Sequence, residues 1–384
     1  MNSIKLHLSP SVVNWAIERS GVTADDFFNK NPKFKVLVSS IEYPKYSMLE
    51  AFAKKTRIPF GYLFLDKPLY EELPLTFFRT LGLGASLDIH INVRDTITII
   101  KHRQDWLTEY LLQNEVEPLA YVGKYSIASS VEEVVQDIRR TIGIDRDWTK
   151  KLTKIKPLEY ITKKIEAQGV LISYNGVVGN DNTREIPLEH CRGFVLSNPI
   201  APFIFINNKD AEGAKLFTLM HELAHIWIGQ STGADLSTLE PANNPIEVFC
   251  NKVASELLVP QLLLREVWAF YKGEIAKIAK VFKVSKVVIA RRALDLQLID
   301  RDTYLDTYEE MMNTYFTYRS RQKDNKKGHF YNLAIKRVGR TFANYVKQAV
   351  ANNQLLYRDA YNLTGLYGTT FDVFYNTIER DANR

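Results

Sequence analysis

Apolar residues with helical spacing recur along most of the chain, and a few short apolar runs interrupt them. The spacing predicts helices over residues 11–19, 23–28, 47–56, 95–113, 131–142, 158–168, 246–259, 275–282, 287–294, 340–351, 357–363 and 370–378. Runs rich in β-branched and aromatic residues predict strands over residues 170–174, 193–197 and 203–207. We therefore expect an α+β fold that is mainly α, with one small sheet flanked by helical domains.

Changes in this pattern divide the chain into five segments. A compact set of short helices fills residues 1–66, and a helical connector follows over 67–156. The strands and the most apolar helices lie in a core at 157–260. Residues 261–299 have the spacing of two helices packed across a tight turn, and residues 300–384 form a helical tail.

Composition narrows the class of protein. The 384 residues are 46 % hydrophobic and 24 % charged, which suits a globular protein of two or three domains. Two cysteines, Cys191 and Cys250, cannot form a disulfide framework, and their apolar neighbours predict buried free thiols. We find neither a secretory segment nor a membrane-spanning run, so we expect a cytoplasmic protein with no membrane partner. The net charge of +6 permits contact with nucleic acid without requiring it.

One motif carries recognisable chemistry. His221 and His225 lie four residues apart, with Glu222 directly after the first histidine. On a helix this spacing places both imidazoles on one face, where they can hold one metal ion, and a glutamate beside them can take a proton from water. The flanking residues are apolar, so the helix should be buried. The alternative is a pair of core histidines satisfied by hydrogen bonds.

A catalytic zinc ion usually takes a third protein ligand. A histidine six residues after His225 is one known solution, but Ser231 stands there. The nearby carboxylates are Asp235, Glu240, Glu247 and Glu256.

Helical geometry separates the last two of these carboxylates. Nine residues part Glu247 from Glu256, which places them on opposite faces of one helix. Glu256 follows Lys252 by four residues, a spacing typical of a surface ion pair. Glu247 precedes Asn251 by four residues, so we expect Asn251 to orient its carboxylate. Glu247 is the predicted third ligand.

Several stretches around this motif resemble the ImmA/IrrE family of zinc metallopeptidases. They occur in the family's order and with similar spacing, at residues 192–197, 201–207, 216–225, 247–251 and 257–260. The resemblance implies a zincin-like core, with Zn²⁺ held by His221, His225 and Glu247 and with Glu222 as catalytic acid and base. It also implies that the protein substrate is a transcriptional repressor or a similar regulator in a mobile-element, defence or stress pathway.

Zincins commonly bind an extended substrate along an edge strand of the sheet. The strand just before the metal helix suggests this role for Phe203, Ile204 and Phe205. A group that stabilises the oxyanion is not identified; Tyr174 and His190 are candidates, and ordinary packing explains either as well.

The N-terminal layout resembles the phage-repressor type (XRE-like) of helix-turn-helix domain that precedes many relatives. Lys33 and Lys35 are its candidate contacts to DNA, although the stretch around them is short and mostly apolar. In the second helix-turn-helix-like segment the candidates are Lys286, Arg291 and Arg292. For the first set, the alternative is a degenerate domain kept for protein contact or stability. For the second set, a solvated charged face is an equally good explanation.

Two functions follow as hypotheses. The first is a zinc endopeptidase that cleaves a regulatory protein. The second is a DNA-binding regulator, or an antitoxin-like partner of a toxin encoded nearby, in which the peptidase site is auxiliary or inactive.

Overall fold

The structure is a computed structural model, and it describes residues 8–38, 44–69, 76–77, 89–233, 244–310 and 330–382. It is mainly helical with a small sheet, as the hydrophobic pattern predicted. The chain forms two compact units, one of residues 1–73 with 88–94 and one of residues 74–87 with 95–384. Most of the second predicted segment and all of the last three lie in the second unit.

The first unit is built from short helices around phenylalanine side chains. Its elements are α1 (Pro10–Arg19), α2 (Ala24–Lys30), a 3-10 helix (Pro32–Leu37), α3 (Tyr46–Thr56) and a second 3-10 helix (Phe60–Phe64). Phe27 stacks on Phe34 at the centre, and both make edge-to-face contacts with Phe52, with ring centroids 5.5 to 5.7 Å apart. Edge-to-face contacts of this kind add to the stability that burial provides.

The second unit holds most of the helices. Those before residue 171 are α4 (Ile91–Gln113, which starts in the first unit), α5 (Val131–Ile142), α6 (Trp148–Lys151) and α7 (Pro157–Glu166). Those after residue 207 are α8 (Glu212–Trp227), α9 (Pro245–Leu258), α10 (Gln261–Phe270), α11 (Ile275–Phe282), α12 (Lys286–Asp295), α13 (residues 301–310), α14 (Phe330–Val338), α15 (Arg340–Ala351), α16 (Tyr357–Thr364) and α17 (Thr369–Ala382). In the described part of the chain, no helix combines the length and the apolar character that a bilayer span requires.

Two sheets accompany these helices. The strands are β1 (Thr76–Phe77), β2 (Leu171–Asn175), β3 (Val177–Val178), β4 (Asp181–Glu185), β5 (Gly193–Leu196), β6 (Phe203–Asn207) and β7 (Thr232–Gly233). Five of them form one mixed sheet in the order β1-β7-β5-β6-β2, and β3 with β4 makes a separate hairpin. Within the main sheet β5 runs antiparallel to both β6 and β7, whereas β2 runs parallel to β6.

The C-terminal helices cover the outer edge of β2. In the parallel ladder Leu171 and Asn175 bond toward β6, so the backbone of Ile172 between them points to the opposite edge. Gly339 lies against that edge: a Cβ atom there would come 2.7 Å from the Ile172 carbonyl oxygen. The Ser173 hydroxyl also donates a hydrogen bond to the Arg337 carbonyl at 2.7 Å.

A buried arginine ties the same helices to α4. Arg103 donates hydrogen bonds to the carbonyls of Arg337 and Leu363, near the C-terminal ends of α14 and α16. It also stacks on the Phe342 ring, 5.7 Å from the centroid. Burial lowers the pKa of Arg103 to about 10, which still leaves the guanidinium charged at neutral pH. Helix ends carry partial negative charge, so a buried cation can be satisfied there without a carboxylate.

Candidate metal centre

The helix that bears the two histidines is buried along most of its length. Eleven residues of α8 are buried, all within its last three turns. It approaches the sheet closely at Gly193, where a Cβ atom would lie 2.7 Å from Thr218 Cγ2 and 2.9 Å from the Phe205 carbonyl oxygen. Glycine is therefore required where β5 meets α8, one turn before His221.

Helices α8 and α9 bring three candidate ligands together. His221 Nε2 lies 3.0 Å from His225 Nε2, and Glu247 places one oxygen 3.0 Å from the first nitrogen and the other 3.3 Å from the second. All three residues are buried. Of the two carboxylates weighed on α9, Glu247 is the one that reaches the histidines.

Hydrogen bonding in this cluster is incomplete. Nδ1 of His221, Nδ1 of His225, Oε1 of Glu247 and both carboxylate oxygens of Glu222 are buried without a hydrogen-bond partner. Buried carboxylate oxygens without partners, as in Glu222 and Glu247, cost several kcal/mol, so a purely structural role explains the arrangement poorly. Two imidazole nitrogens and a carboxylate within reach of one point are a donor set that zinc prefers. The residues present therefore fit a zinc ion.

The protonation states suit metal binding. Burial, reinforced by the neighbouring His221, lowers the pKa of His225 to about 4, so its imidazole is neutral at pH 7 and can donate a lone pair. For Glu247, burial alone would raise the pKa, but contacts with both histidines outweigh it and hold the pKa below its ordinary value. Glu247 is therefore an anion, as a ligand must be.

Glu222 is in a different electrostatic environment. Complete burial, followed by the negative charge of Glu247, raises the pKa of Glu222 well above its ordinary value. A nearby cation would oppose both effects. A carboxyl group beside a metal-bound water can accept a proton from it and return that proton later.

Asn251 does not orient Glu247, contrary to the prediction. Its Oδ1 atom is buried without a hydrogen-bond partner, and the described residues show no bond between Asn251 and Glu247. Asn251 instead lines an open cleft of about 860 Å³ that runs along α9, beside Phe217 and Val248. A spacing of four residues places Glu247 and Asn251 on the same face of α9, but spacing alone does not determine where the amide group of Asn251 points.

Glu256 is an internal ion-pair partner and not a surface charge. It pairs with Arg292 of α12, and its carboxylate also accepts the backbone N–H of Gln261 at 3.1 and 3.2 Å. Arg292 is 7 % exposed and donates a further bond to the Val259 carbonyl. The prediction that Arg292 contacts DNA is therefore wrong, since its guanidinium is used inside the protein.

The other candidate DNA contacts lie on the surface. Lys286 pairs with Glu310, and Arg291 pairs with Asp295, each at 3.1 Å. Six of the ten residues of α12 are buried, Arg292 among them, whereas Lys286 and Asp295 are exposed. In the first unit, Lys33 and Lys35 are exposed on the six-residue 3-10 helix, where a DNA-reading domain would need a longer α-helix.

Strand β6 cannot bind substrate as the sequence suggested. Phe203, Ile204 and Phe205 pair with β2 on one side and with β5 on the other, and all three side chains are buried. An interior strand has no free backbone groups with which to add a peptide. The alternation of the sequence identified a strand but not its place in the sheet.

The two candidate oxyanion donors, Tyr174 and His190, lie in different surroundings. The Tyr174 hydroxyl contacts Thr162 Oγ1 at 2.6 Å, and its burial raises the pKa of the phenol. His190 is exposed on the loop before β5. The alternative third ligands Asp235 and Glu240 lie outside the described residues.

Both cysteines are free and buried, as predicted, and both lie near the candidate centre. Burial raises the pKa of Cys191, and so does the charge of Glu222; for Cys250, Glu247 and Glu222 add to the effect of burial. No sequence pattern pointed to this proximity for Cys191, which is thirty residues from the motif. For Cys250, its position three residues after Glu247 was a usable signal.

Comparison with known families covers this part of the chain. Residues 166–294 match the model of the IrrE N-terminal-like domain (Peptidase M78), and residues 338–377 match a domain of unknown function, DUF8813. No curated protein matches the chain. The first match contains His221, Glu222, His225 and Glu247, and it supports a metallopeptidase-like role for the domain that carries them.

Proposed function

We propose that this protein is a zinc-dependent endopeptidase that cleaves a transcriptional repressor or a similar regulatory protein. The observation that carries the proposal is the convergence of His221, His225 and Glu247 beside an unpartnered Glu222, within a segment that matches a peptidase family. The nature of the substrate rests on the family resemblance.

The chain's own residues would divide the work as follows. His221 and His225, through their imidazole nitrogens, and Glu247, through its carboxylate, would hold Zn²⁺. The bound ion supplies Lewis acidity, which activates water and polarises the scissile carbonyl group. Glu222 would accept a proton from the attacking water at a carboxylate oxygen and return it to the leaving amine nitrogen.

A comparison of two proteins tests this function. Glu222→Gln keeps the shape of the side chain and all three ligands but cannot exchange the proton. We expect it to bind as much zinc as the wild type and to lose at least about 100-fold in cleavage. New protein N-termini would be identified in cells that express either protein. N-termini that appear with the wild type and also with Glu222→Gln would contradict the proposal.

Binding of DNA by the first unit is a second candidate function, because Lys33 and Lys35 are exposed there. Contacts to phosphate would make the affinity fall steeply with salt. The test is binding of a DNA duplex between 50 and 200 mM salt, roughly the range in which such contacts are lost, for the wild type and for Lys33→Ala with Lys35→Ala. Equal affinity of both proteins at every salt concentration would end this candidate.

A further inference from the structure

The C-terminal end of α8 is held by a segment that precedes the peptidase-family match. The backbone N–H of Gly123 donates to the Ile226 carbonyl at 2.9 Å, and that of Tyr125 donates to the Trp227 carbonyl at 3.0 Å. The last carbonyls of a helix have no partner within it, so these two bonds from outside complete its final turn. Residues 119–125 and α5 both lie before residue 166, where the family match begins.

Side chains strengthen the same contact. The Trp227 ring stacks on Tyr121, with centroids 4.4 Å apart and planes tilted by 16°. Trp227 Nε1 donates to Asp137 Oδ2 of α5 at 3.0 Å, and Lys124 Nζ donates to Asp137 Oδ1 at 2.7 Å. Asp137 thus connects Lys124, in the segment that caps α8, with Trp227, the last residue of α8.

Close backbone packing makes this contact specific. Gly123 and Gly229 lie so near each other that a Cβ on Gly229 would come 2.9 Å from Gly123 Cα. Both glycines have positive φ, at +68° and +69°. The loop at Gly123 and the turn at Gly229 are therefore in close backbone contact, and this contact restricts movement of the C-terminal end of α8.

The carboxylate of Asp137 is charged under ordinary conditions. Burial alone would raise its pKa, but the hydrogen bonds from Lys124 and Trp227 outweigh burial and lower the pKa below the usual value. Hydrogen bonds to a charged acceptor are stronger and better aligned than neutral ones. The Trp227 ring is consequently fixed from two sides, by the stack on Tyr121 and by this bond.

Trp227 follows His225 by two residues, so movement of the last turn of α8 would displace the second imidazole. We propose that Asp137, acting through Trp227 and Lys124, is a positioning residue that fixes His225 in the geometry needed to share a metal ion with His221 and Glu247. The inference rests on the proposed metal centre. It assigns a role in metal binding to residues outside the matched family segment.

The test measures zinc affinity, since a role confined to stability would not change it in the folded protein. Asp137→Asn keeps the shape of the side chain, and its amide oxygen can still accept the hydrogen bond from Trp227. It loses the negative charge, and its NH₂ group then faces the ammonium group of Lys124, which is also a donor. We expect its Kd for zinc, from competition with a chelator, to rise about 10-fold, as for other residues that orient ligands. The visible absorption of the Co²⁺-substituted protein should change as well, because the ligand geometry changes.

The matched control is Asp95→Asn. Asp95 forms a similarly shielded ion pair with Arg184, which joins α4 to β4 and includes no residue of α8. Its removal should lower the melting temperature without changing zinc affinity. Trp227→Phe is the second variant: it keeps a stacking ring, lacks the N–H donor and should also weaken zinc binding.

The outcomes separate the inference from the proposed function. Unchanged zinc affinity in both Asp137→Asn and Trp227→Phe would overturn the positioning role while leaving the metal centre intact. An equal loss in Asp95→Asn would overturn it too, because the effect would then reflect general stability. A wild type that binds no zinc would refute the metal centre itself.

Discussion

At the scale of single residues, the candidate centre is defined by which carboxylate faces the histidines. The sequence distinguished Glu247 from Glu256 because nine residues of helix reverse the face, and the structure places Glu247 between His221 and His225. Asn251 has the helical spacing expected for a contact with Glu247, but its side chain can rotate, and its amide group makes no hydrogen bond to the Glu247 carboxylate in the described residues. Backbone periodicity predicts faces, whereas the direction of a polar side chain depends on its neighbours in three dimensions.

Zinc content should distinguish the two glutamates directly. Glu247→Ala removes a ligand, so we expect bound zinc to fall from about one per chain to near zero after dialysis. Glu256→Gln disturbs the ion pair with Arg292 but leaves the ligands, so it should lower stability and retain the metal. Elemental analysis of the purified proteins measures both. Retention of zinc by Glu247→Ala, or loss of zinc from Glu256→Gln, would show that Glu247 is not the third ligand.

Glu166 should make stability depend on pH in the neutral range. Burial raises the pKa of Glu166 to about 7, although Thr341 and Arg340 partly offset this effect. The unfolded chain releases this proton near pH 4.5, so the folded state holds more protons between the two values and loses stability as pH rises to about 7. Glu166→Gln should therefore be more stable than the wild type at pH 8, by about 2 kcal/mol, and equally stable at about pH 4.

Denaturant unfolding of both proteins at the two pH values measures this difference. The control is Glu159→Gln on the same helix, where the carboxylate is exposed and paired with Lys163. A difference between Glu166→Gln and the wild type that does not change with pH would show that the carboxyl group titrates normally.

At the scale of elements, sequence and structure agree best where local signals are strong. The predicted bounds of α5 are those observed, because Ser130 and Glu133 form a capping box and Gly143 ends the helix in a left-handed conformation. The bounds of α15 and β6 also agree. The two-residue strands β1, β3 and β7 were not predicted, since such short strands have no periodicity of their own and depend on their partners. Strand β4 was missed because its five residues are all polar and mostly exposed.

Gly339 should be among the least replaceable residues at the junction of α14 and α15. Its φ is +89°, and a Cβ would come 2.7 Å from the Ile172 carbonyl oxygen. We expect Gly339→Ala to reduce the free energy of unfolding by about 2–3 kcal/mol, from strain together with displacement of α14 from β2. Gly368→Ala, which also has positive φ but nothing within 4 Å, should cost about 1 kcal/mol. Equal losses in the two variants would mean that the close contact adds nothing.

At the scale of the whole molecule, the sequence identified the candidate ligands, but it did not identify the residues and helices that pack around them. The motif located the metal helix, but Asp137 and the C-terminal helices lie far from it in sequence and carry no motif. Contacts of this kind form only after the chain has folded, so local patterns do not report them. The order of strands in the sheet, which excludes β6 as an edge, was hidden for the same reason.

The C-terminal helices should be necessary for folding of the second unit, although they lie outside the peptidase-family match. A chain shortened to residues 1–310 would leave the outer edge of β2 uncovered and the Arg103 side chain without its two carbonyl partners. We expect aggregated or unfolded protein by size-exclusion chromatography and circular dichroism. A chain that begins at residue 74, and so lacks most of the first unit, should remain soluble. Recovery of a folded, zinc-binding 1–310 chain would contradict this expectation.

The position of α14 in the chain also has a consequence during synthesis. β2 leaves the ribosome roughly 150 residues before α14, which corresponds to about 8 to 30 s at ordinary rates of translation. Throughout that interval every nascent chain carries a strand whose outer edge has no cover, and on crowded polysomes two such edges can pair with each other. The yield of native protein should therefore depend on how quickly the residues between β2 and α14 are made, and on the chaperones that bind the chain until α14 is complete.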